Sequence, residues 1–597
     1  MRIAALVKQI PAFEEMELGP DGRLRREGLE LEMNPYCRRA VAQAVELAAT
    51  QPGAHEVVFL TLGPPTADDT LREAIAWATD RGVDARGVLV SDPAFAGSDT
   101  LATARALTAA IVQVGPFDLV LTGRNSVDAD TGQVGPQLAQ MLGLPFLTGV
   151  RELTVDGDLV HARCEHDDGS MTAEVRFPVV LSAAERLIDP CKVEPAGRAT
   201  VAADRIRTIT AGELGPGPWG QGGSPTWVGD VRIQATDRAT VVLDGPVEEQ
   251  ARRAVELLAA RGAFRESAAE SFARVAPAWG TEGEPVAVLV EPDRLPETRE
   301  LLGAAAGLAA AIGGHTVAIA SGATDDAVLS SWGADVVVVL DGVHVEEDVA
   351  AGIADWAAAR TPWAILAPST AWGREVAGRV AAAVDAGLTG DAVDVEAVDG
   401  RLVSWKPAFG GQLVAAIHAR SAVQMATVRV GVLPRLEPRD AGEPVRETRV
   451  VAPRSRVCVL DRTRDDDLDT LAEAGAVVGI GRGVDPADYD ALAPLLAALG
   501  AELGATRKVT DNGWLPRARQ IGITGRSIAP RLFVSIGASG KFNHMVGVRA
   551  AGSVLAINPD PDALVFGVAD VGIVADWQAA VPALVAAVAA HPEASRS

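Results

Sequence analysis

The sequence predicts an α/β protein of three doubly wound units, two of them copies of one another. Short β-branched runs such as Leu532–Ile536, Val554–Ile557 and Val571–Val574 each break into small or polar residues. Parallel strands read this way when both faces are buried and a ligand lies across their carboxyl ends. The second observation is a repeat. FDLVLTGRNSVDADTGQVGPQLAQMLGLPFLTG and PWAILAPSTAWGREVAGRVAAAVDAGLTG both read as strand, polar turn, amphipathic helix and then Leu-Thr-Gly, at Leu147–Gly149 and Leu388–Gly390. Each continues into Val-Asp-Gly-x-Leu-Val (Val155–Val160 and Val398–Val403) and a glycine turn, Asp168-Gly169 or Gly410-Gly411. Two related α/β domains therefore precede a third.

A length of 597 residues calls for several domains, and 48% hydrophobic with 22% charged content is ordinary for a soluble globular protein. The apolar runs are too short for a transmembrane helix, and Met1-Arg2 leads straight into a predicted strand, Ile3–Val7, without a signal-peptide pattern. Cys37, Cys164, Cys191 and Cys458 have no metal-ligand spacing and are too sparse for a disulfide scaffold, so no metal site and a cytoplasmic location are expected. A net charge of −25 argues against nucleic-acid binding and membrane insertion, and suits partners with basic patches.

Along the chain, Asn34-Pro35 predicts a helix start, Asn as N-cap and Pro in the first turn, with Ala40, Val41, Ala44, Val45 and Ala48 on one face. Asp128, Asp130, Thr131 and Gln133 surround Gly132 at a strand-to-helix transition, where backbone donors can bind a phosphate. The competing reading is an acidic N-cap with nothing bound. RESAAESFARVAPAWGTEGE, residues 265–284, is a polar Gly/Pro-bearing linker.

The third unit carries the densest set of functional residue types. VVGIGRGV places Arg482 and Gly483 in a glycine-rich turn after a strand, and LGATRKVTDNGWLPRARQIGITG supplies Thr506, Arg507, Gln520, Ile523 and Thr524. Gly537, Ser539 and Gly540 open a predicted helix that carries His544, and bare N–H groups there attract a pyrophosphate. The segment is neither G-x-G-x-x-G nor a P-loop, since Phe542 follows Lys541. Asn558 and Asp576 end the next strands. Singly, each has a plain alternative: a surface arginine, a solvated histidine, a turn. In this order they point to a dinucleotide site.

From Val477 to Asp576 the chain resembles the flavin-binding domain of the alpha subunit of electron-transfer flavoproteins. The motifs are the G-x-G-R-G turn (Arg482), S/T-R (Thr506-Arg507), Q-x-G-x-T-G (Gln520, Thr524), G-x-S-G-x-x-x-H (Ser539, His544), A-I-N (Asn558) and V-A-D (Asp576). The resemblance implies bound FAD, with Arg482 against the isoalloxazine, Thr524 near N5 and O4, and His544 at the pyrimidine O2. Ser539 and the Gly537–Gly540 backbone would hold the pyrophosphate, and Asn558 and Asp576 the adenosine. Two departures stand out: Ile523 replaces the family's second Gln, and Pro559 the lysine common after A-I-N. Donors at the pyrimidine edge favour an anionic semiquinone. At about 1.5–3 kcal/mol per charged hydrogen bond, each moves the first potential by about 60–130 mV.

Residues 1–264 resemble the beta subunit of the same family, through KQIPAFEEMELGPDGRLRREGLELEMNPYCRRAVAQAVELA, VVFLTLGP and D-x-D-T-x-Q-V-G. Residues 285–597 resemble the alpha subunit, including PAFGGQLVA and QMATVR, so the two subunits look fused, beta first. The expected organisation is a beta-like domain (1–195), a beta-type C-terminal arm (196–264), the linker (265–284), an alpha-type N-terminal domain (285–440) and the FAD-binding domain (441–597). The two related domains would be adenine-nucleotide α-hydrolase-like. At Asp128–Gln133 the family binds AMP in simple carriers and a second FAD in bifurcating members, and DADTGQVGP is nearer the second pattern. The segment AAERLIDPCKVEPAGRAT keeps the lead-in of the family's dehydrogenase-docking loop but lacks its leucine-bearing stretch, which implies a different or narrower dehydrogenase partner.

Three functions follow as alternatives. One is a carrier of single electrons from a dehydrogenase to a quinone reductase or other acceptor, monomeric through fusion. The second is a bifurcating enzyme with two FADs that oxidises NADH. The third is a redox-inactive adenine-nucleotide-binding module.

Overall fold

A computed structural model of the chain describes residues 1–11, 30–167, 169–233, 238, 240–265, 274–278, 280–408, 413–440, 442–464, 470–471, 474–522 and 525–594. The first half contributes β1 (Arg2–Leu6), β2 (Gln9–Pro11), β3 (Leu31–Met33), β4 (Glu56–Leu62), β5 (Ala85–Val90), β6 (Leu119–Gly123), β7 (Phe146–Asp156), β8 (Leu159–His166), β9 (Gly169–Arg176), β10 (Val179–Ala183) and β11 (Ile206–Ile209). After β12 (Thr226–Ile233) and β13 (Val241–Leu243), the second half supplies β14 (Pro285–Val290), β15 (His315–Ser321), β16 (Val336–Asp341), β17 (Ala364–Pro368), β18 (Gly387–Ala392), β19 (Asp394–Val398), β20 (Arg401–Ala408), β21 (Leu413–Ala419), β22 (Gln424–Val428) and β23 (Val445–Val450).

The repeat is a repeat of topology. Parallel strands run in the order β7-β10-β6-β1-β4-β5-β11 in one half and β18-β22-β17-β14-β15-β16-β23 in the other. Their continuous apolar runs follow from burial on both faces: Ile3 and Ala5 pack into one helix layer, Ala4 and Leu6 into the other. The first sheet then extends through the antiparallel hairpin β8–β9, whereas in the second half the hairpin β20–β21 forms a separate antiparallel sheet with β19 and β12. The outer edge of each hairpin is completed by a strand from the opposite half. β12 pairs with β21, and β24 (Cys458–Arg464) pairs with β9, both antiparallel.

The third unit contains β25 (Ala476–Ile480), β26 (Ala501–Ala505), β27 (Leu532–Ile536), β28 (Ser553–Asn558) and β29 (Val571–Val574), in the parallel order β26-β25-β27-β28-β29-β13. Its edge strand β13 therefore comes from the first half's extension. The helix Val247–Ala260 follows β13 and buries Ala251, Val255 and Leu258 with Trp577, Val581 and Leu584 of the C-terminal helix. Asp570, 1% exposed, locks this attachment: it accepts hydrogen bonds from the Val554 N–H at 2.7 Å and from Arg238 and Arg261 at 2.5 and 2.6 Å.

The helix Pro35–Thr50 forms as expected and buries Ala40, Val41, Ala44 and Val45. Asn34, however, makes no side-chain cap. Its amide donates to the Asn125 carbonyl at 2.9 Å and its Oδ1 accepts from the Val127 N–H at 3.2 Å, so it clamps a distant loop instead. Cys37, Cys164 and Cys191 are buried and Cys458 exposed, all as free thiols. No helix among the described residues is long and apolar enough to cross a membrane.

Asp570→Ala removes the shared acceptor of two arginines and an internal N–H. A loss of about 3–5 kcal/mol is expected for breaking such a buried pair, measurable by urea denaturation monitored at Trp577, with earlier proteolysis around residues 238–261.

Candidate functional site

A cavity of about 1020 Å³ opens between the third unit and the first half, at the upper end of small-molecule sites, which span about 300–1,000 Å³. It lies at the carboxyl ends of β25, β26 and β27, where the strand order reverses between β25 and β27. Doubly wound folds bind ligands at that point. One wall is the Gly481–Gly483 turn packed on Gly537: the Gly481 N–H donates to Ile536 at 2.9 Å and the Gly483 N–H to Gly537 at 3.1 Å. A Cβ on Gly481 would come within 2.3 Å of the Gly537 oxygen. Gly540 has φ +76, and a Cβ there would meet the Val565 nitrogen at 2.1 Å. The predicted helix after Gly540 is a single α turn, Phe542–Met545, followed by a 3-10 turn.

His544 is 7% exposed and lines this cavity. Its Nδ1 lies 3.0 Å from the Ile521 carbonyl, so that nitrogen carries the proton, while the buried Nε2 has no partner among the described residues. Burial pushes its pKa below the ordinary histidine value. Arg482 is exposed at the rim. Arg507 bridges to Asp511 at 3.1 Å and, across the junction, to Glu185 at 3.1 Å. Beside it Arg517 donates to Glu165 at 2.7 Å, so ion pairs hold the third unit to the first half.

Of the residues expected here, Arg482, Gly483, Thr506, Arg507, Gly537, Ser539, Gly540 and His544 line the cavity together. Gln520 does not. It is 1% exposed and accepts from Thr510 Oγ1 at 2.7 Å, bracing the loop from beneath. Asn558 is also a brace, its amide donating to the Ala538 carbonyl at 3.0 Å. Asp576 is exposed at the start of the helix Trp577–Ala590, without a side-chain cap. Ile523 and Thr524 lie outside the described residues.

The loop at Asp128–Gln133 divides. Asp128 pairs with Lys8 at 2.8 Å, which outweighs burial and holds its carboxyl below the usual range. Asp130, with φ +43, lines the large cavity. Thr131, Gly132 and Gln133 instead face the second half. A Cβ on Gly390 would lie 3.2 Å from Thr131 Cα and 2.9 Å from Gln133 Nε2, and one on Gly132 3.3 Å from Arg374 Cδ. Gln133 is fully buried and accepts from Thr100 Oγ1 at 2.7 Å. Tyr36, Asn125, Lys508, Trp514 and Lys541 are among the further wall residues and were missed from sequence. Tyr36 was hidden inside a helix start, and its hydroxyl donates to Glu185 at 2.7 Å.

These features define a dinucleotide-binding α/β protein whose cavity needs two units to close. The glycine wall, the orphaned His544 Nε2 and the cavity's size fit an FAD. The particular family is set by the comparisons. An electron transfer flavoprotein domain model matches residues 21–210 and again 289–453, and an electron transfer flavoprotein FAD-binding domain model matches residues 470–549. Electron transfer flavoprotein subunit beta of Clostridium acetobutylicum is 36% identical over 261 residues, covering 43% of this chain and 98% of that protein. Subunit alpha of Thermoanaerobacterium thermosaccharolyticum is 34% identical over 268 residues, 43% of this chain and 81% of that protein. The caffeyl-CoA reductase-Etf complex subunit CarD of Acetobacterium woodii is 38% identical over 191 residues, 32% of this chain and 71% of that protein. The chain belongs to the electron transfer flavoprotein family, with beta-like and alpha-like parts joined in one polypeptide.

Gly540→Ala collides with the backbone at Val565 in a conformation that L residues rarely adopt, and the purified variant should lose most of its flavin absorbance per chain. A second prediction concerns pH. The folded His544 pKa lies below the unfolded value of about 6.5, so the unfolded chain takes up the proton first. Its contribution to stability is present above that pH and lost as the pH falls. Flavin-free wild type should therefore lose more melting temperature between about pH 7 and pH 5 than flavin-free His544→Gln.

Proposed function

We propose that this family member is an FAD-containing carrier of single electrons between a partner dehydrogenase and a quinone reductase or other acceptor. The observation that carries the reading is the buried, unpartnered Nε2 of His544, a residue that lines a glycine-walled cavity at the strand switch point. FAD, when bound, supplies one-electron chemistry, and the chain's residues set where charge is tolerated. His544 Nε2 would take up a proton when negative charge is placed beside it, while its Nδ1–H stays on the Ile521 carbonyl. Arg482 and Arg507 add positive charge at the rim. Ser539 and the Gly537–Gly540 backbone hold the pyrophosphate, and Asn558 and Asp576 serve the adenosine end.

The beta-like half takes a second adenine nucleotide, AMP or a second FAD, beside Asp128–Gln133. Gln133 Nε2 and Gln137 Oε1 are buried there without partners among the described residues, leaving one donor and one acceptor unmet. The D-A-D-T-G-Q pattern favours the second reading, an NADH-oxidising protein with two FADs. The partner differs from a general acyl-CoA dehydrogenase, because Leu187, Ile188 and Val193 of the shortened docking segment pack onto the first half's core. CarD is a subunit of a caffeyl-CoA reductase-Etf complex, which makes an enzyme acting on CoA thioesters the first partner to try.

Nucleotides released from the purified protein decide between the readings. One FAD and one AMP per chain are expected for the carrier; two FADs, with flavin bleaching by NADH, would replace it with the second reading. His544→Gln should lower the first reduction potential by about 60–130 mV at neutral pH, read by spectroelectrochemistry, and an unchanged potential would remove His544 from the flavin.

A further inference from the structure

A second cavity, of about 530 Å³, lies at the carboxyl ends of β14, β17 and β22, beside the amino end of the helix Ala371–Ala383. Under the internal repeat this is the counterpart of the Asp128–Gln133 corner of the first half, where β1, β6 and β10 end beside the helix Val134–Leu142. A strand switch point next to the start of a long helix is where doubly wound folds take phosphorylated ligands.

What stands at that helix start is a carboxylate from the other half. Asp167, in the turn between β8 and β9, accepts a hydrogen bond from the Ala371 N–H. Burial opposes its charge, yet Arg124, Arg294, the Ala371 N–H and Arg374 hold its pKa at about 2. More than a third of Asp167's surface is nevertheless exposed, and the residue lines the cavity. A helix N-terminus ringed by arginines with an anion on it is the arrangement of a bound phosphate, with the anion supplied by the chain. The second observation is Glu297, 6% exposed on the same cavity. Its Oε1 accepts from Arg294 at 3.0 Å, while its Oε2 is buried and has no partner among the described residues. An unmet carboxylate acceptor beside an anion position suits a ligand that brings both a phosphate and hydroxyl donors.

We propose that the second half carries its own binding site for a phosphate monoester with free hydroxyls, of the nucleoside or sugar monophosphate kind, and that Asp167 occupies the phosphate position from within the chain. Thr370, whose Oγ1 accepts from the Gly373 N–H at 3.0 Å, shapes the helix start, and Arg374 reaches the same edge through Ser369 at 3.2 Å. Asp167 thereby pins the two halves together and keeps the site closed to solution anions. The cavity shares Tyr36, Asn125 and Asp130 with the flavin cavity and is also lined by Gly522 and Gly525 of the flavin unit, so the test is run with flavin already bound and reads a phosphate-specific response that the electron-carrier reading does not decide.

The test is Asp167→Ala in the flavin-loaded, full-length protein, titrated with inorganic phosphate and with glucose 6-phosphate against chloride at matched ionic strength. Once phosphate exceeds its dissociation constant several-fold, the variant's melting temperature should rise by about 2–4 °C. Glucose 6-phosphate should act at lower concentration than phosphate. Wild type, already self-occupied, should not respond, and Asp167→Ala/Arg374→Gln should lose the response. If Asp167→Ala is not recovered folded in phosphate-free buffer, recovery on adding phosphate has the same meaning. The proposal is overturned if the single variant shows no phosphate-specific stabilisation or recovery, or if wild type responds equally.

Discussion

Neither half of this protein finishes its own sheet. The β8–β9 and β20–β21 hairpins each end in an edge whose N–H and C=O groups would otherwise stand unpaired, and each edge is completed by a strand that left the opposite half. Backbone groups of buried strands must be satisfied, so this exchange fixes the two halves in a single relative placement. Small residues at the contact follow from it. Gly378 admits Pro136, where a Cβ would approach the proline Cγ at 2.9 Å, and Gly390 admits Thr131 and Gln133. Both cavities lie at junctions whose geometry this exchange sets.

The third unit is attached by different physics. Its core is completed by one short strand and one helix from the first half's extension, tied down at Asp570. Across the cavity, its contacts with the first half are ion pairs, Arg507 with Glu185 and Arg517 with Glu165. Both carboxylates are nearly buried, their side chains 8% and 4% exposed, while Arg507 and Arg517 keep 43% and 23%; removing one partner would leave a buried charge unpaired.

Much of the fold was legible because parallel strands and glycine turns leave local signatures. The strands at Leu532–Ile536 and Val571–Val574 lie where the apolar runs end, and the paired Leu-Thr-Gly segments proved to be equivalent strands, β7 and β18. The cavity's near wall, Gly481–Gly483 with Gly537–Gly540, was legible because only glycine permits that approach. Residues whose partners lie outside their own motif were not. Asn34 reads as a helix cap and spends its amide on residues 125–127; Gln520 reads as a flavin contact and braces Thr510; Tyr36 looks like an ordinary helical residue and forms the far wall.

The amino-acid sequence alone determined three doubly wound units, a repeated topology and a dinucleotide-type set of glycines, arginines and one histidine. Hydrophobic period, turn chemistry and motif order are local properties that need no partner to be read. Only the tertiary structure decided which strand completes which edge, that Thr131–Gln133 turn toward the second half while Asp130 turns toward the flavin cavity, and that Asp167 lies on a helix of the other half. These depend on strand exchange between segments far apart in the chain. Such pairing is chosen by unsatisfied edges and buried charge, neither of which has a period in the sequence.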